Sequence, residues 1–276
     1  MVILAVLPLL FFTLWLGYGP LAREEYCTIQ RDMFISLNHV LNTWPSQFWS
    51  NLTLLGDAGV LISLLSLIII WRPQAWAATI AAAPVASLLS VTLKHIAAVP
   101  RPAAVLAQDQ FTIIGHTLRA SNSFPSGHSL TIFTGVVAVL VVLFPRSPTW
   151  RYWLMLIVAS IVAVSVALSR VAVGAHWPLD VVGGALCGLI AGLAGAALTR
   201  RYQKWWRLSP GSTSRCIVGT LILMLCLSLI NRALEDPSEG FVLWPSALCG
   251  MTASLWQMKA CLERLRSGNR GQHAAQ

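Results

Sequence analysis

The chain has 276 residues, 56% of them hydrophobic and only 11% charged, with a mean hydropathy of +0.69 and a formal net charge of +9. This composition excludes an ordinary soluble domain and describes a bundle of membrane helices. The positive charge would also suit nucleic acid, but the basic residues lie mostly in short connections between apolar runs, where they set orientation or meet anionic lipid. No nucleic acid partner is therefore expected.

Val2 to Tyr18 reads as a first span that is retained, since it lacks the basic leading region and Ala-x-Ala site of a cleaved signal peptide. From Arg23 to Ser50 the composition is mixed. Tyr26, Ile29, Met33, Phe34, Leu37 and Leu41 recur there at helical spacing, which predicts an amphipathic helix along the outer membrane surface. Such a helix serves either as a connector packed across the bundle or as the wall of a lipid entrance.

Leu52 to Trp71 reads as span two, with Asp57 expected as a helix-end or interfacial group rather than a catalytic acid. Span three runs from Trp76 to Leu93, and Lys94 follows at its end. Ala97 to Pro125, broken by Pro100, Pro102, Gly115 and Pro125, is a long connection outside the hydrocarbon. Spans four, five and six cover His128 to Phe144, Trp150 to Leu168 and Val181 to Leu198. Gly183, Gly184, Gly188, Gly192 and Gly195 give the last a small packing face.

Arg200, Arg201, Lys204 and Arg207, mixed with Trp205 and Trp206, form a basic interfacial patch. Cys216 to Ile230 and Phe241 to Met258, either side of an acidic loop, fit two further spans, a re-entrant pair or surface helices. Cys27, Cys187, Cys216, Cys226, Cys249 and Cys261 show no close pairing or metal-ligand spacing and read as small core residues. The expected fold class is all-α: a polytopic transmembrane bundle with a six-span core and one or two extra C-terminal membrane segments. Residues 1–50 hold the first span and outer-face helix, 51–200 the core, and 201–276 the basic patch and C-terminal segments.

If Arg72, Arg146, Arg151 and the run from Arg200 to Arg215 face the cytoplasm, alternation puts the ends of spans three and five and the starts of four and six outside. That one face then receives Lys94, Arg101, Ser126, Gly127, His128, Arg170, His176 and Asp180. Cations and imidazoles are costly in a bilayer, so their gathering at segment ends points to an anion site.

His176 and Asp180 are four apart at a helix entrance, so one helical turn puts both on the same face. Aspartate on one imidazole nitrogen orients the ring and leaves the other free to attack phosphorus; an ordinary buried polar pair has the same spacing. In Pro125 to His128, Ser126 can cap a helix, Gly127 lets N–H groups approach an anion, and His128 can protonate a departing oxygen and then accept a proton from water. A plain cap beside an interfacial histidine also satisfies that tetrapeptide. Lys94, Arg101 and Arg170 complete a clamp for phosphoryl oxygens that needs no metal. Two rival chemistries use fewer of these groups: a metal on His128, His176 and Asp180, which the cations oppose, and Ser126 as nucleophile, which lacks the Gly-x-Ser-x-Gly turn.

Lys94 with Arg101 and Pro102, Pro125 to His128, and Ser169 with Arg170, His176 and Asp180 together resemble the three-part signature of the type 2 phosphatidic acid phosphatase family, over residues 50–200. The resemblance implies His176 as the nucleophile forming a phosphohistidine, Asp180 as its partner and His128 as proton donor and later base. It implies phosphate binding by Lys94, Arg101, Ser126, Gly127 and Arg170, with no metal or other cofactor. Soluble acid phosphatases and vanadium haloperoxidases share the family, but the span count fits an integral lipid phosphatase. The expected setting is the bacterial inner membrane, with the site facing the periplasm, a membrane lipid phosphate as substrate, phospholipid around it and no obligate protein partner. Undecaprenyl diphosphate is the leading substrate. The alternatives are phosphatidylglycerol phosphate, phosphatidic acid, lipid A 1-phosphate hydrolysis or transfer, and a non-catalytic headgroup-binding or transport protein.

Overall fold

The computed structural model describes residues 23–144, 149–206 and 213–273, all of it helix and connection among those residues. The expected first span lies outside the described residues. Helix α1 (Arg23–Leu41) precedes a broken pair, α2 (Ser46–Leu54) and α3 (Ala58–Ser66), the latter continued by a 3-10 turn over Leu67–Ile70. Then follow α4 (Pro73–Ala97), the single turn α5 (Pro102–Val105), α6 (Gly127–Leu143), α7 (Trp150–Ala172), α8 (Pro178–Arg201), the short α9 (Gln203–Trp206), α10 (Thr213–Glu235) and α11 (Gly240–His273).

Helix starts follow local chemistry. The Asp57 carboxylate accepts from Gly59 N and Val60 N, Ser126 accepts from Ser129 N, Thr149 from Tyr152 N, and proline opens α4 and α8. Segments 73–105, 150–172, 178–201 and 213–235 are each long and apolar enough to cross a membrane, and α6 is a shorter apolar helix. The chain is thus an all-α polytopic membrane bundle. The expected second span is not one straight helix, because α2 and the α3 segment meet at 67° where Asp57 ends one hydrogen-bonded run and caps the next.

The glycine face of α8 packs on α6 and α4. A Cβ on Gly188 would stand 2.6 Å from the Leu130 carbonyl oxygen and 2.7 Å from Phe133 Cβ, so backbone meets backbone there with no room for a side chain. This contact draws the N-terminal ends of α6 and α8 together. α1 lies across the same end, and its buried face is in part the apolar set expected from spacing: Phe34 is fully buried and Tyr26, Leu37 and Leu41 pack partly buried on the core, but Ile29 is 70% and Met33 46% exposed, and the polar Gln30 and Asn38 are fully buried. The Gln30 and Asn38 side chains bond to backbone at the start of α8, the end of α7 and the connection at Thr112, groups that apolar side chains could not satisfy.

α10 and α11 form a C-terminal pair joined through a turn over Pro237–Glu239. α10 is 23 residues long, more than its apolar stretch alone indicated. The Cys216–Cys261 disulfide ties α10 to α11 with a Cα–Cα distance of 6.0 Å, which corrects the reading of all six cysteines as small core residues. Their separation of 45 residues gives no spacing signal, and only the packing of the two helices brings them together. Cys27, Cys187 and Cys226 are free and buried, as expected. The basic patch lies partly outside the described residues.

Candidate active site

Lys94 stands in the last turn of α4, which ends at Ala98 in a left-handed conformation (φ 44°). The chain then reverses, and the Arg101 guanidinium reaches back over the bundle end. Its Nε donates to Asn122 Oδ1 at 2.9 Å, and its Nη1 donates to the Ala175 carbonyl at 3.1 Å and lies 3.4 Å from His176 Nε2.

Arg170 stands in the last turn of α7, and its carbonyl accepts from Ala175 N and His176 N at 3.0 and 3.2 Å. Gly174, at φ +74°, permits that tight return, and a Cβ there would press within 2.8 Å of the Thr112 carbonyl oxygen. Arg170 Nη1 donates to Thr53 Oγ1 at 2.6 Å, while its Nε is buried without a protein partner.

His176 is 2% exposed. Its Nδ1 lies 3.4 Å from both Asp180 Oδ2 and Ser123 Oγ, so the aspartate and serine hold one edge of the ring while the other edge faces Arg101. Burial first, then the charges of Arg170, Arg101 and Lys94, push the His176 imidazole well below its usual range, and the neutral ring is the resting form. Asp180 is fully buried and accepts three hydrogen bonds, from Ser123 Oγ (2.5 Å), Trp177 N (2.9 Å) and Tyr26 Oη (2.8 Å).

The start of α6 is tied to the same point, because Ser126 N donates to the Asp180 carbonyl at 2.9 Å. Lys94 Nζ is the nearest atom to a Cβ built on Gly127, at 3.8 Å, so the ammonium hangs over the glycine backbone. His128, half-buried, packs against Gly56 at the α2–α3 bend. All eight expected site residues therefore gather at one end of the bundle. Among the described residues no group of three or more His, Cys, Asp or Glu side chains could hold a metal ion, and the donors present suit an anion.

Thr53, Asn122, Ser123 and Tyr26 were not expected. Ser123 stands two residues before Pro125 and had a weak signal in its nearness to the motif; the other three touch the site only through folding.

The family model described as PAP2 superfamily matches residues 74–207, which contain every one of the eight. Residues 74–207 belong to the PAP2 superfamily. Among PAP2-like relatives, the undecaprenyl-diphosphatase of Sulfolobus acidocaldarius is 48% identical over 66 residues, 24% of this chain and 28% of that one. The lipid A 1-phosphatase of Rhizobium johnstonii is 36% identical over 96 residues, 35% of each chain. Matched stretches span between 28% and 45% of the length of the curated relatives. A PAP2 type phosphatidylglycerolphosphate phosphatase from Bacillus subtilis shares the fold, with a TM-score of 0.54 at 19% identity over 74% of this chain and 98% of that one.

Proposed function

We propose that this protein is a metal-independent phosphatase of membrane lipid phosphates, with undecaprenyl diphosphate as its leading substrate. One observation carries the reading: the neutral His176 ring is flanked by Asp180 and Ser123 at Nδ1 and by Arg101 at Nε2, beside an Arg170 Nε that has no protein partner. A phosphoryl oxygen would satisfy that orphaned donor and the other cations together.

In the first half-reaction His176 Nε2 attacks phosphorus, the bond to the leaving oxygen breaks, and His128 gives that oxygen a proton. Asp180 stabilises the positive charge that grows on the ring. Lys94, Arg101, Arg170 and the backbone at Ser126 and Gly127 meet the charge spread over the equatorial oxygens. His128 then takes a proton from water, the hydroxide adds to phosphorus, the P–N bond breaks, and phosphate leaves with His176 restored.

A cavity of about 370 Å³ runs from His128 and Gly127 between α3, α4 and α6, past Ser90, Ser87 and Ala83. It supports a substrate whose tail stays among the helices while its headgroup meets the cations. We further assign residues 51–200 as the core of a six-span unit whose first span lies in residues 1–50, set in the bacterial inner membrane with the site facing the periplasm. Basic residues at the opposite helix ends, Arg72, Arg151 and Arg200 among them, support that orientation. Likeness to the Rhizobium johnstonii protein favours lipid A 1-phosphate as the second reading.

The test is phosphate release by purified protein from undecaprenyl diphosphate, phosphatidylglycerol phosphate, phosphatidic acid and lipid A, with chelator present and His176→Ala as control. Release that survives chelation and vanishes in the variant supports the enzyme, and relative kcat/KM values rank the substrates. No release from any lipid, with headgroup binding intact in His176→Ala, would overturn it in favour of a binding protein.

A further inference from the structure

Asp180 draws its hydrogen bonds from three parts of the chain. Oδ2 takes Ser123 Oγ–H and Trp177 N–H, whereas Oδ1 takes the Tyr26 hydroxyl at 2.8 Å. Tyr26 belongs to α1, 154 positions away in sequence and outside the residues 74–207 that match the superfamily. The core constellation is therefore completed by a helix that its own motifs do not include.

That helix is locked in place by one face with a four-residue repeat. Gln30 Oε1 accepts from Leu179 N at 2.7 Å, the Phe34 ring meets Trp177 edge-on at 5.2 Å, and Asn38 Nδ2 donates to the carbonyls of Val171 and Ala172 at 3.0 and 3.1 Å. Asn38 thus holds the end of α7, while Gln30 and Tyr26 hold the start of α8. Between those two grips lies the turn that carries His176.

The contact between His176 Nδ1 and Asp180 Oδ2 is long, 3.4 Å, so the plane of the carboxylate decides how well Oδ2 meets the ring. With Oδ2 already shared among Ser123, Trp177 and His176, the donor on Oδ1 stops the carboxylate from rotating. Burial, reinforced by the charge of Asp180, raises the Tyr26 phenol well above its ordinary value, so it stays a donor.

We propose that Tyr26 is a positioning residue for the phosphoryl transfer: its hydroxyl sets the Asp180 carboxylate, and through it the orientation of His176 with Nδ1 protonated and Nε2 free. The role rests on the phosphatase reading above. Tyr26→Phe isolates it, because the ring and its edge-on approach to Phe124 at 6.4 Å are kept and only the hydroxyl is lost. Loss of one charge-assisted hydrogen bond behind the nucleophile is expected to lower kcat by about tenfold to a hundredfold, with KM changed less than about threefold.

Two comparisons separate positioning from mere docking of α1. In an Asp180→Asn background Tyr26→Phe is expected to cost less than about threefold, since the carboxylate it positions is gone; a structural role would add its full effect in both backgrounds. Gln30→Met loosens α1 on Leu179 without removing the donor to Asp180, so its kcat falls less than that of Tyr26→Phe. Each variant's thermal midpoint in detergent reports whether it is folded. Unchanged kcat in Tyr26→Phe, an equal loss in Gln30→Met, or full additivity with Asp180→Asn would overturn the positioning role alone. A wild-type chain that releases no phosphate from any lipid would overturn the phosphatase reading and this role with it.

Discussion

His176 has one edge toward carboxylate and hydroxyl and the other toward guanidinium, and this asymmetry assigns a duty to each nitrogen. His176→Ala is expected to abolish phosphate release while lipid binding persists, and Asp180→Asn to lower kcat by at least about a hundredfold. Burial and three cations hold the His176 pKa well below 6.5, and under the proposed mechanism the neutral ring is the nucleophile. As pH falls, kcat/KM should therefore stay level through 6.5 and drop only at the lower folded-state value; an acid limb at or above 6.5 would contradict this. The same shift acts on stability. Below 6.5 the unfolded chain takes up a proton that folded His176 refuses, so stability contributed by this group is complete above 6.5 and declines as pH falls toward the folded value. Thermal midpoints against pH, with His176→Gln removing that part of the slope, check the sign. The sequence showed which residue types were present, but not that Ser123 would stand between His176 and Asp180, because a hydroxyl two residues from a motif has no period or charge to mark it.

Two elements turn sequence pattern into site geometry. On α8 the glycine row lets α6 approach until Leu130 and Thr134 carbonyls touch its backbone, and Gly188→Ala is expected to destabilise the protein by about 1–3 kcal/mol, read as a lower thermal midpoint in detergent. On α4 the small side chains at Ala83, Ser87 and Ser90 leave the cavity beside His128 open. Ser87→Leu should fill it, raising KM for long-tailed lipid phosphates while a short soluble phosphate ester is turned over as before; equal effects on both would remove the cavity from substrate binding. The glycine face of α8 was legible in the sequence, whereas the cavity along α4 follows only from how the helices pack. α1 was legible as a helix, and its buried face only in part. Apolar spacing selected Phe34, which is buried, along with Ile29 and Met33, which are not; Gln30 and Asn38 complete the buried row because their partners are backbone groups at the helix ends and the connection that α1 covers.

At the scale of the molecule, helix ends with opposite duties are separated: the site at one end, and the start of α10 with Cys216 after the basic connection at the other. The Cys216–Cys261 bond lies at that far end, so Cys216→Ser is expected to leave phosphate release by the purified protein unchanged while lowering its thermal midpoint in detergent. By itself the sequence determined the all-α membrane class of the fold, the helix ends that carry charge and the eight residues proposed for the anion site, because hydropathy and motif spacing are local properties. Only the tertiary structure decided the 67° bend at Asp57, the Cys216–Cys261 pairing and the reach of Tyr26 to Asp180. Each depends on which helices pack together, and that packing is set by side-chain shape and backbone hydrogen bonding across long sequence separations, which leave no periodic trace in the chain.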